Sequence, residues 1–248
     1  MISPPTLSQQ ILHQTPERQT IIKKIIIIFS LLGLTIFSGF YYAKQKFYDR
    51  KHRLDNTKIE AKQLIEHNEI ENGDLIFQTS LSGQSKAIQL ATKSKYSHCG
   101  LIYKEGNDFF VFEAVQPVKQ TPLYKWIARG QGGKYVIKRL KNADQVLTPS
   151  TLKKMKRIGD SFSGKNYDLT FEWSDNKIYC SELIWKIYQR STGIEIGKLE
   201  KLSDFDLSNE AVKKIMKARY GNKIPTKEIV ISPAAIFNSE FLTTVKSN

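Results

Sequence analysis

The stretch SHCGLIYKEGNDFFVFEA, residues 97–114, decides how the domain folds. It reads as two apolar strands, 97–103 and 108–114, around a polar turn at 104–107 that contains Gly106. A four-residue loop there, or a two-residue loop at Glu105-Gly106, pairs Tyr103 with Asp108. The same register sets His98 opposite Glu113 on one face, with Cβ atoms about 5 Å apart. A three-residue bulged loop breaks that register. A carboxylate facing an imidazole fixes its tautomer and stabilises the imidazolium. The plainer alternative is a cross-strand polar pair, or a Glu113 that faces solvent. Cys99 alternates to the opposite face and fits a small buried apolar residue.

Working outward, Asn72-Gly73 ends a polar helical segment over 55–70, and Gly73-Asp74-Leu75-Ile76-Phe77 reads as the first strand. A short helix is expected over 85–92 and a further strand over 135–140. Thr148-Pro149 is a helix start, with a capping Thr and Pro at the first helical position. Leu152, Met155, Ile158 and Phe162 share one face of that helix. Another helix spans 181–192, stopped by Gly193, and a third spans 209–219. The pattern is α+β with a mostly antiparallel sheet packed with helices.

Cys180 sits where the turn Ser174-Asp175-Asn176-Lys177 passes into the helix after Ile178-Tyr179. Unpaired amides and the dipole at a helix N-terminus favour thiolate and can hold an oxyanion. Against this stands the general rule that a lone Cys is a buried apolar residue.

Composition narrows the chemistry. The two cysteines, Cys99 and Cys180, are too few for a disulfide framework, and no Cys-x-x-Cys suggests zinc. Of the four histidines, His13, His52, His67 and His98, only His98 lies well inside the domain. The net charge of +14 is spread, with +6 over residues 1–62 and the remainder over 63–248. That spread suits anionic lipid or polymer better than nucleic acid, for which no motif is present. Residues 159–165 match most of a phosphate-binding loop. Asn166, however, replaces its Ser/Thr, and a basic helix precedes it instead of a strand. No Gly-x-Ser-x-Gly elbow occurs. Neither a metal nor an organic cofactor is expected.

Residues 25–43 form a 19-residue uncharged run rich in Ile, Leu and Phe. At 1.5 Å per residue this reaches about 28 Å, the hydrocarbon thickness of a bilayer. Tyr41 and Tyr42 fit the interface. A cleaved signal peptide is the alternative, but its apolar region is shorter and no small-x-small site follows. The expected organisation is a tail over 1–24, a transmembrane anchor over 25–43, a juxtamembrane linker or helix over 44–69, the catalytic domain over 70–242, and a tail over 243–248. Positive residues are more numerous downstream of the run, which favours a cytoplasmic domain. The short basic N-terminal tail is compatible with the reverse.

Ser97-His98-Cys99-Gly100-Leu101-Ile102, Phe112-Glu113-Ala114 and Ile178-Tyr179-Cys180-Ser181-Glu182-Leu183 resemble the YiiX-like, circularly permuted branch of NlpC-type papain-like hydrolases. Gly73-Asp74-Leu75-Ile76, Tyr167-Asp168 and Ser232-Pro233 add to the likeness, which covers roughly residues 70–240. The order His, Glu, Cys is its specific part. The resemblance implies a permuted papain-like fold, with Cys180 as nucleophile, His98 as general base and then acid, and Glu113 as the orienting group. Tyr179 is expected near the oxyanion region. The implied activity is that of a bacterial amidase or peptidase, often exported, with a peptide or cell-wall peptide as substrate. A cell-wall substrate places the domain in the periplasm. A lipid acyl hydrolase or acyltransferase with the same triad, and a non-catalytic peptide-binding module, remain as alternatives.

Overall fold

The computed structural model describes residues 16–248, and these group into two units, one ending at His52 and one spanning Arg53–Asn248. Helix α1, Pro16–Glu66, starts on a proline, which suits the first helical position. The expected N-terminal tail lies outside the described residues over 1–15, and its remainder is helical. Within α1 one segment is long and apolar enough to cross a membrane, with a mean hydropathy of 2.0, and Ile26, Phe29, Leu34 and Phe37 on it are exposed. A signal sequence meets the same criterion.

The segment over 44–69, expected as a juxtamembrane linker or helix, is helical as far as Glu66. Within the second unit, Thr57, Ala61 and Leu64, spaced by four and three residues, are buried. That spacing puts them on one helical face, which makes residues 53–66 part of this unit's core.

The second unit is built on six strands. They are β1 (Leu75–Gln78), β2 (His98–Glu105), β3 (Asp108–Glu113), β4 (Lys119–Pro122), β5 (Val136–Leu140) and β10 (Leu242–Ser247). Their order is β10-β5-β1-β2-β3-β4, antiparallel throughout. Helix α2 (Ser85–Thr92) follows β1, α3 (Leu123–Arg129) follows β4, and α4 (Ala143–Val146) and α5 (Pro149–Asp160) follow β5. Beyond them come α6 (Cys180–Thr192), α7 (Glu210–Tyr220) and α8 (Pro233–Phe237). Strands β6 (Asn166–Tyr167) and β7 (Lys177–Ile178) pair in parallel, and β8 (Glu200–Lys201) pairs with β9 (Ile229–Val230).

Strand alternation sorts the core onto the two sheet faces. Leu75, Phe77, Cys99, Leu101 and Phe112 pack with α5 and α6, whereas Ile76, Ile102, Val111 and Ile137 pack with Trp126 of α3 and Leu64 of α1. Thr148 caps α5 by accepting from the Thr151 N–H at 3.3 Å, as its sequence predicts. Gly159, the first residue of the false phosphate loop, is packed against Phe112, where an added Cβ would stand 3.3 Å from the ring.

The expected C-terminal tail over 243–248 is corrected. It forms most of β10, which closes the sheet edge against β5, and Asn248 Oδ1 accepts from the Tyr135 N–H at 2.8 Å. The run Leu242-Thr243-Thr244-Val245 is rich in β-branched residues, which favour strands.

Candidate active site

The hairpin forms where expected, but its register is shifted by two residues. Glu105 faces Asp108 and Tyr103 faces Phe110, so the turn is Gly106-Asn107. Gly106 takes φ +61°, as a tight hairpin turn requires. Carried to the strand ends, this register sets Gly100, not His98, opposite Glu113. A two-residue shift preserves the face. His98 and Glu113 are therefore diagonal neighbours, and His98 Nε2 meets Glu113 Oε2 at 2.6 Å. Glycine at 100 keeps this face clear: an added Cβ would fall 2.2 Å from Val111 Cγ1 and 3.6 Å from Trp126 Nε1.

Glu113 is fully buried and its two oxygens are saturated. Oε1 accepts from Thr121 Oγ1 at 2.6 Å, while Oε2 accepts from Trp126 Nε1 at 2.9 Å and from Arg129 as well as bonding His98. Burial alone would raise this carboxyl, but the bond and charge of His98, then Arg129, hold it down at about 2. Trp126 also stacks on His98 at 5.9 Å between centroids. Thr121, Trp126 and Arg129 come from β4 and α3, neither of which the sequence reading anticipated. Their only local sequence signal is the three-residue spacing of Trp126 and Arg129, which puts both on one face of a short helix.

Cys180 is the first residue of α6, one position earlier than expected, preceded by Tyr179 in extended conformation (φ −105°, ψ 167°). The helix stops at Gly193 (φ +79°) as its sequence predicts. The entry to α6 is tied down by buried Lys186, which donates to Glu182 Oε1 at 2.6 Å, Asp175 Oδ1 at 2.9 Å and the Ser174 carbonyl at 2.7 Å. Ser181 Oγ donates to the Ile231 carbonyl at 2.7 Å. Tyr179 lines the cavity beside Cys180, and its hydroxyl accepts the Ile231 N–H at 3.0 Å, an anchor for the chain entering α8.

The Cys180 sulfur contacts both neighbours at the start of β2. The Cys99 thiol donates to it, the His98 imidazole adds charge and a hydrogen bond, and the Cys99 N–H adds another. Together these overcome burial and hold Cys180 well below the usual thiol range. Cys99, on the opposite strand face from His98, is pushed well up by burial and then by the Cys180 charge, so it stays a neutral donor. His98, which burial alone would lower, is raised to about 9 by the Cys180 thiolate and then by Glu113. With Nε2 committed to Glu113, Nδ1 is the ring nitrogen that serves the sulfur. The pair is thiolate and imidazolium across the neutral range, a nucleophile and a proton donor in contact.

A cavity of about 90 Å³ opens from Cys180 between α2 and α7. Its walls include Ile88, Leu207, Val212, Ile215 and Met216, with Gln84, Tyr167 and Arg219 as polar members.

Residues 69–246 match the family described as permuted papain-like amidase enzyme, YaeF/YiiX. The chain is 47% identical over 175 residues to an Escherichia coli protein called uncharacterized protein YiiX, covering 71% of this chain and 85% of that protein. A crystal structure described as metalloprotein yiiX, also from Escherichia coli, is similar with a TM-score of 0.70 at 47% identity, covering 73% of this chain and 98% of that one. The word metalloprotein belongs to that chain. In this one, among the described residues, no group of three or more His, Cys, Asp or Glu side chains is placed to hold an ion. His98 and Glu113 are committed to each other, so the residues present do not fit a metal centre.

Proposed function

This chain belongs to the permuted papain-like amidases of the YaeF/YiiX family, and on that premise we propose that Cys180, His98 and Glu113 are the catalytic triad with which it cleaves an amide bond in a peptide or cell-wall peptide. It is an enzyme of the cysteine amidase and peptidase class. The observation that carries the triad is that His98, bonded through Nε2 to the buried Glu113 carboxylate, and Cys180 act on each other's charge, the thiolate raising the imidazole and the imidazole lowering the thiol.

The Cys180 thiolate attacks the carbonyl carbon, and the α6 N-terminal amides receive the oxyanion. His98 Nδ1–H then protonates the leaving amine, and a thioester remains on Cys180. The charge balance favours this proton transfer. The thiolate is the larger of the two groups that raise His98, and attack consumes it, so the imidazolium loses its main support as it must give up its proton. Neutral His98 next activates the water that releases the acyl group as a carboxylic acid, while Glu113 holds the ring in place.

Replacing Cys180 with Ala should abolish turnover and labelling by a thiol-reactive amide analogue. Undiminished turnover in that variant overturns the mechanism.

The cavity wall supports a second substrate class. A peptide laid along Ile88, Val212 and Met216 leaves backbone polar groups unpaired, at about 1–3 kcal/mol each. A hydrocarbon chain incurs no such cost. A lipid acyl hydrolase or acyltransferase using the same triad fits these walls, and release of free fatty acid rather than a free amino group identifies it. The segment over 25–43 is read as a retained single-pass anchor. Extraction of the full-length chain only by detergent, not by alkaline carbonate, is expected, and a chain shortened to begin after this segment overturns it. A cell-wall substrate requires an extracytoplasmic domain, against the positive-inside count. A C-terminal reporter fusion read for activity on either side separates these two outcomes.

A further inference from the structure

Three groups crowd one oxygen of Glu113. His98 Nε2 bonds Oε2 at 2.6 Å, Trp126 Nε1 donates to it at 2.9 Å, and the Arg129 guanidinium donates to it as well. Among the described residues Oε1 meets one donor, the Thr121 hydroxyl at 2.6 Å. A carboxylate oxygen has two lone pairs, so Oε2 serves more partners than it can satisfy fully while Oε1 keeps a lone pair in hand. Arg129 thus binds the oxygen that His98 uses, not the other one.

The chain around Arg129 holds it there. It is the last residue of α3, three positions after Trp126, so one helical face carries both donors. Gly130 leaves the helix in extended conformation (φ −67°, ψ 160°), and an added Cβ would stand 2.2 Å from Gln78 Oε1. The Gln131 N–H then donates to the Thr79 carbonyl at 2.9 Å, which ties the exit to the end of β1. The charged groups around the triad pair are few. Cys180 acts on His98 from the start of α6, and Cys99 lies next to His98 on β2. Gln78, across the ladder from His98, carries no charge, and Lys119, across the ladder from Glu113, is exposed. Among the described residues, Arg129 is the cation paired with Glu113 besides His98 itself.

We propose that Arg129 is a positioning residue that acts through Glu113: by sharing Oε2 with His98, it limits how firmly the carboxylate supports the imidazolium, so that the ring releases its proton to the leaving group. This rests on the triad reading. Before attack, the Cys180 thiolate and Glu113 both support the imidazolium. As the S–C bond forms, the sulfur loses its charge and Glu113 is the support that remains. A carboxylate without Arg129 would then keep the ring protonated and slow the departure of a basic leaving group. With part of its charge taken up by the guanidinium, Glu113 holds the ring in place and lets the proton go. When the intermediate collapses, the electron pair returns to the carbonyl and the bond to the leaving group breaks. The Nδ1 proton passes to the departing atom, the Nε2 proton stays between His98 and Glu113, and Arg129 gives up none.

The sign of the effect separates this role from bracing. Loss of a residue that merely braces Glu113 would weaken the imidazolium, as Glu113→Gln does. Arg129→Met should do the opposite. The test uses the full-length chain in detergent and follows Cys180 alkylation by iodoacetamide across pH. The acylation rate is read from the burst of phenol released by p-nitrophenyl acetate or phenyl acetate. In Arg129→Met the acid limb of alkylation should move down by about half a unit, less than the one to three units of a direct charge partner because the effect passes through Glu113. Phenyl acetate, whose leaving group is the more basic, should lose about threefold relative to p-nitrophenyl acetate, the rate equivalent of that half unit. Arg129→Lys keeps the charge without the planar fork and should recover most of both effects.

An acid limb that stays or moves up in Arg129→Met overturns the proposal. So does an unchanged ratio of the two esters, or an Arg129→Lys variant no closer to wild type than Arg129→Met. If Arg129→Met fails to fold, Arg129→Gln, which leaves Oε2 a neutral donor, replaces it with the same expected directions. A burst that survives Cys180→Ala overturns the triad itself. A burst that needs Cys180, with a limb that answers to Glu113→Gln but not to Arg129→Met, overturns only this assignment.

Discussion

Replacing Glu113 with Gln removes one negative charge and none of the side chain's length, so the loss can be worked from its bonds. Oε2 bonds His98 Nε2 at 2.6 Å, Trp126 Nε1 at 2.9 Å and Arg129, and Oε1 bonds Thr121 Oγ1 at 2.6 Å. A glutamine with its oxygen in the Oε2 position keeps the first three. Its amide group then faces Thr121, whose hydroxyl can turn to accept. The bonds survive but the charge assistance does not. Charge-assisted bonds contribute about 1.5–3 kcal/mol and neutral ones about 0.5–1.5. Three weakened bonds therefore cost about 3 kcal/mol of stability, in line with the cost of breaking a buried pair.

Chemistry falls with stability. Glu113 is the smaller of the two groups that raise His98 to about 9, so His98 shifts down, though less far than in Cys180→Ala. A weaker imidazolium supports less thiolate, at about tenfold per pKa unit. The acid limb of Cys180 alkylation by iodoacetamide should move up by about one unit, which corresponds to about 1.4 kcal/mol of lost pairing. The p-nitrophenyl acetate burst near neutral pH should slow by about 10–100-fold. Urea unfolding of the variant reads the stability loss. An alkylation limb that does not move, together with an unfolding free energy within about 0.5 kcal/mol of wild type, refutes the coupling of this carboxylate to the pair.

Gly100→Ala drives a Cβ to 2.2 Å from Val111 Cγ1, and overpacking of this kind should cost about 1–3 kcal/mol, read by urea unfolding. Ending the chain after Leu242 removes most of β10 and exposes the β5 edge. The shortened chain should unfold at lower urea, and an unchanged midpoint would restore the tail assignment. The pH dependence has two arms. Glu113 is depressed to about 2 from 4.5, so its contribution is full above pH 4.5 and is lost as pH falls through 2. His98 is raised to about 9 from 6.5, so its contribution is full below pH 6.5 and is lost as pH rises through 9. Unfolding free energy measured across pH should therefore decline at both ends, and Glu113→Gln should flatten the acid arm.

The sequence carried the local elements well because local signals set them. Thr148-Pro149 and Gly193 bound their helices as capping chemistry requires, and α2 spans Ser85–Thr92 as its pattern indicates. The hairpin turn was misplaced, since Glu105-Gly106 and Gly106-Asn107 are both acceptable two-residue turns. Cross-strand packing against Phe109 and Phe110 is decided by the tertiary structure. The shift by an even number still left His98 and Glu113 on one face. What surrounds Glu113 was not legible. Trp126 and Arg129 reach it from a helix 13 and 16 residues further along the chain, and no local periodicity records which carboxylate they will meet. The segment over 243–248 looked like a tail because an edge strand is recognised by its partner, not by its own length.

The two halves of the reacting pair belong to different cores. Cys180 and Cys99 are packed with the sheet face that carries Leu101 and Phe112, whereas Trp126, which braces His98 and Glu113, is packed with the face that carries Ile102 and Val111. Neither core alone assembles a thiolate. In the unfolded chain Cys180 is an ordinary thiol, with a pKa of about 8.5 and mostly protonated at neutral pH. The sulfur turns nucleophilic only once both sides of the sheet have closed, so a chain still emerging or partly melted is chemically quiet, and folding itself arms the enzyme.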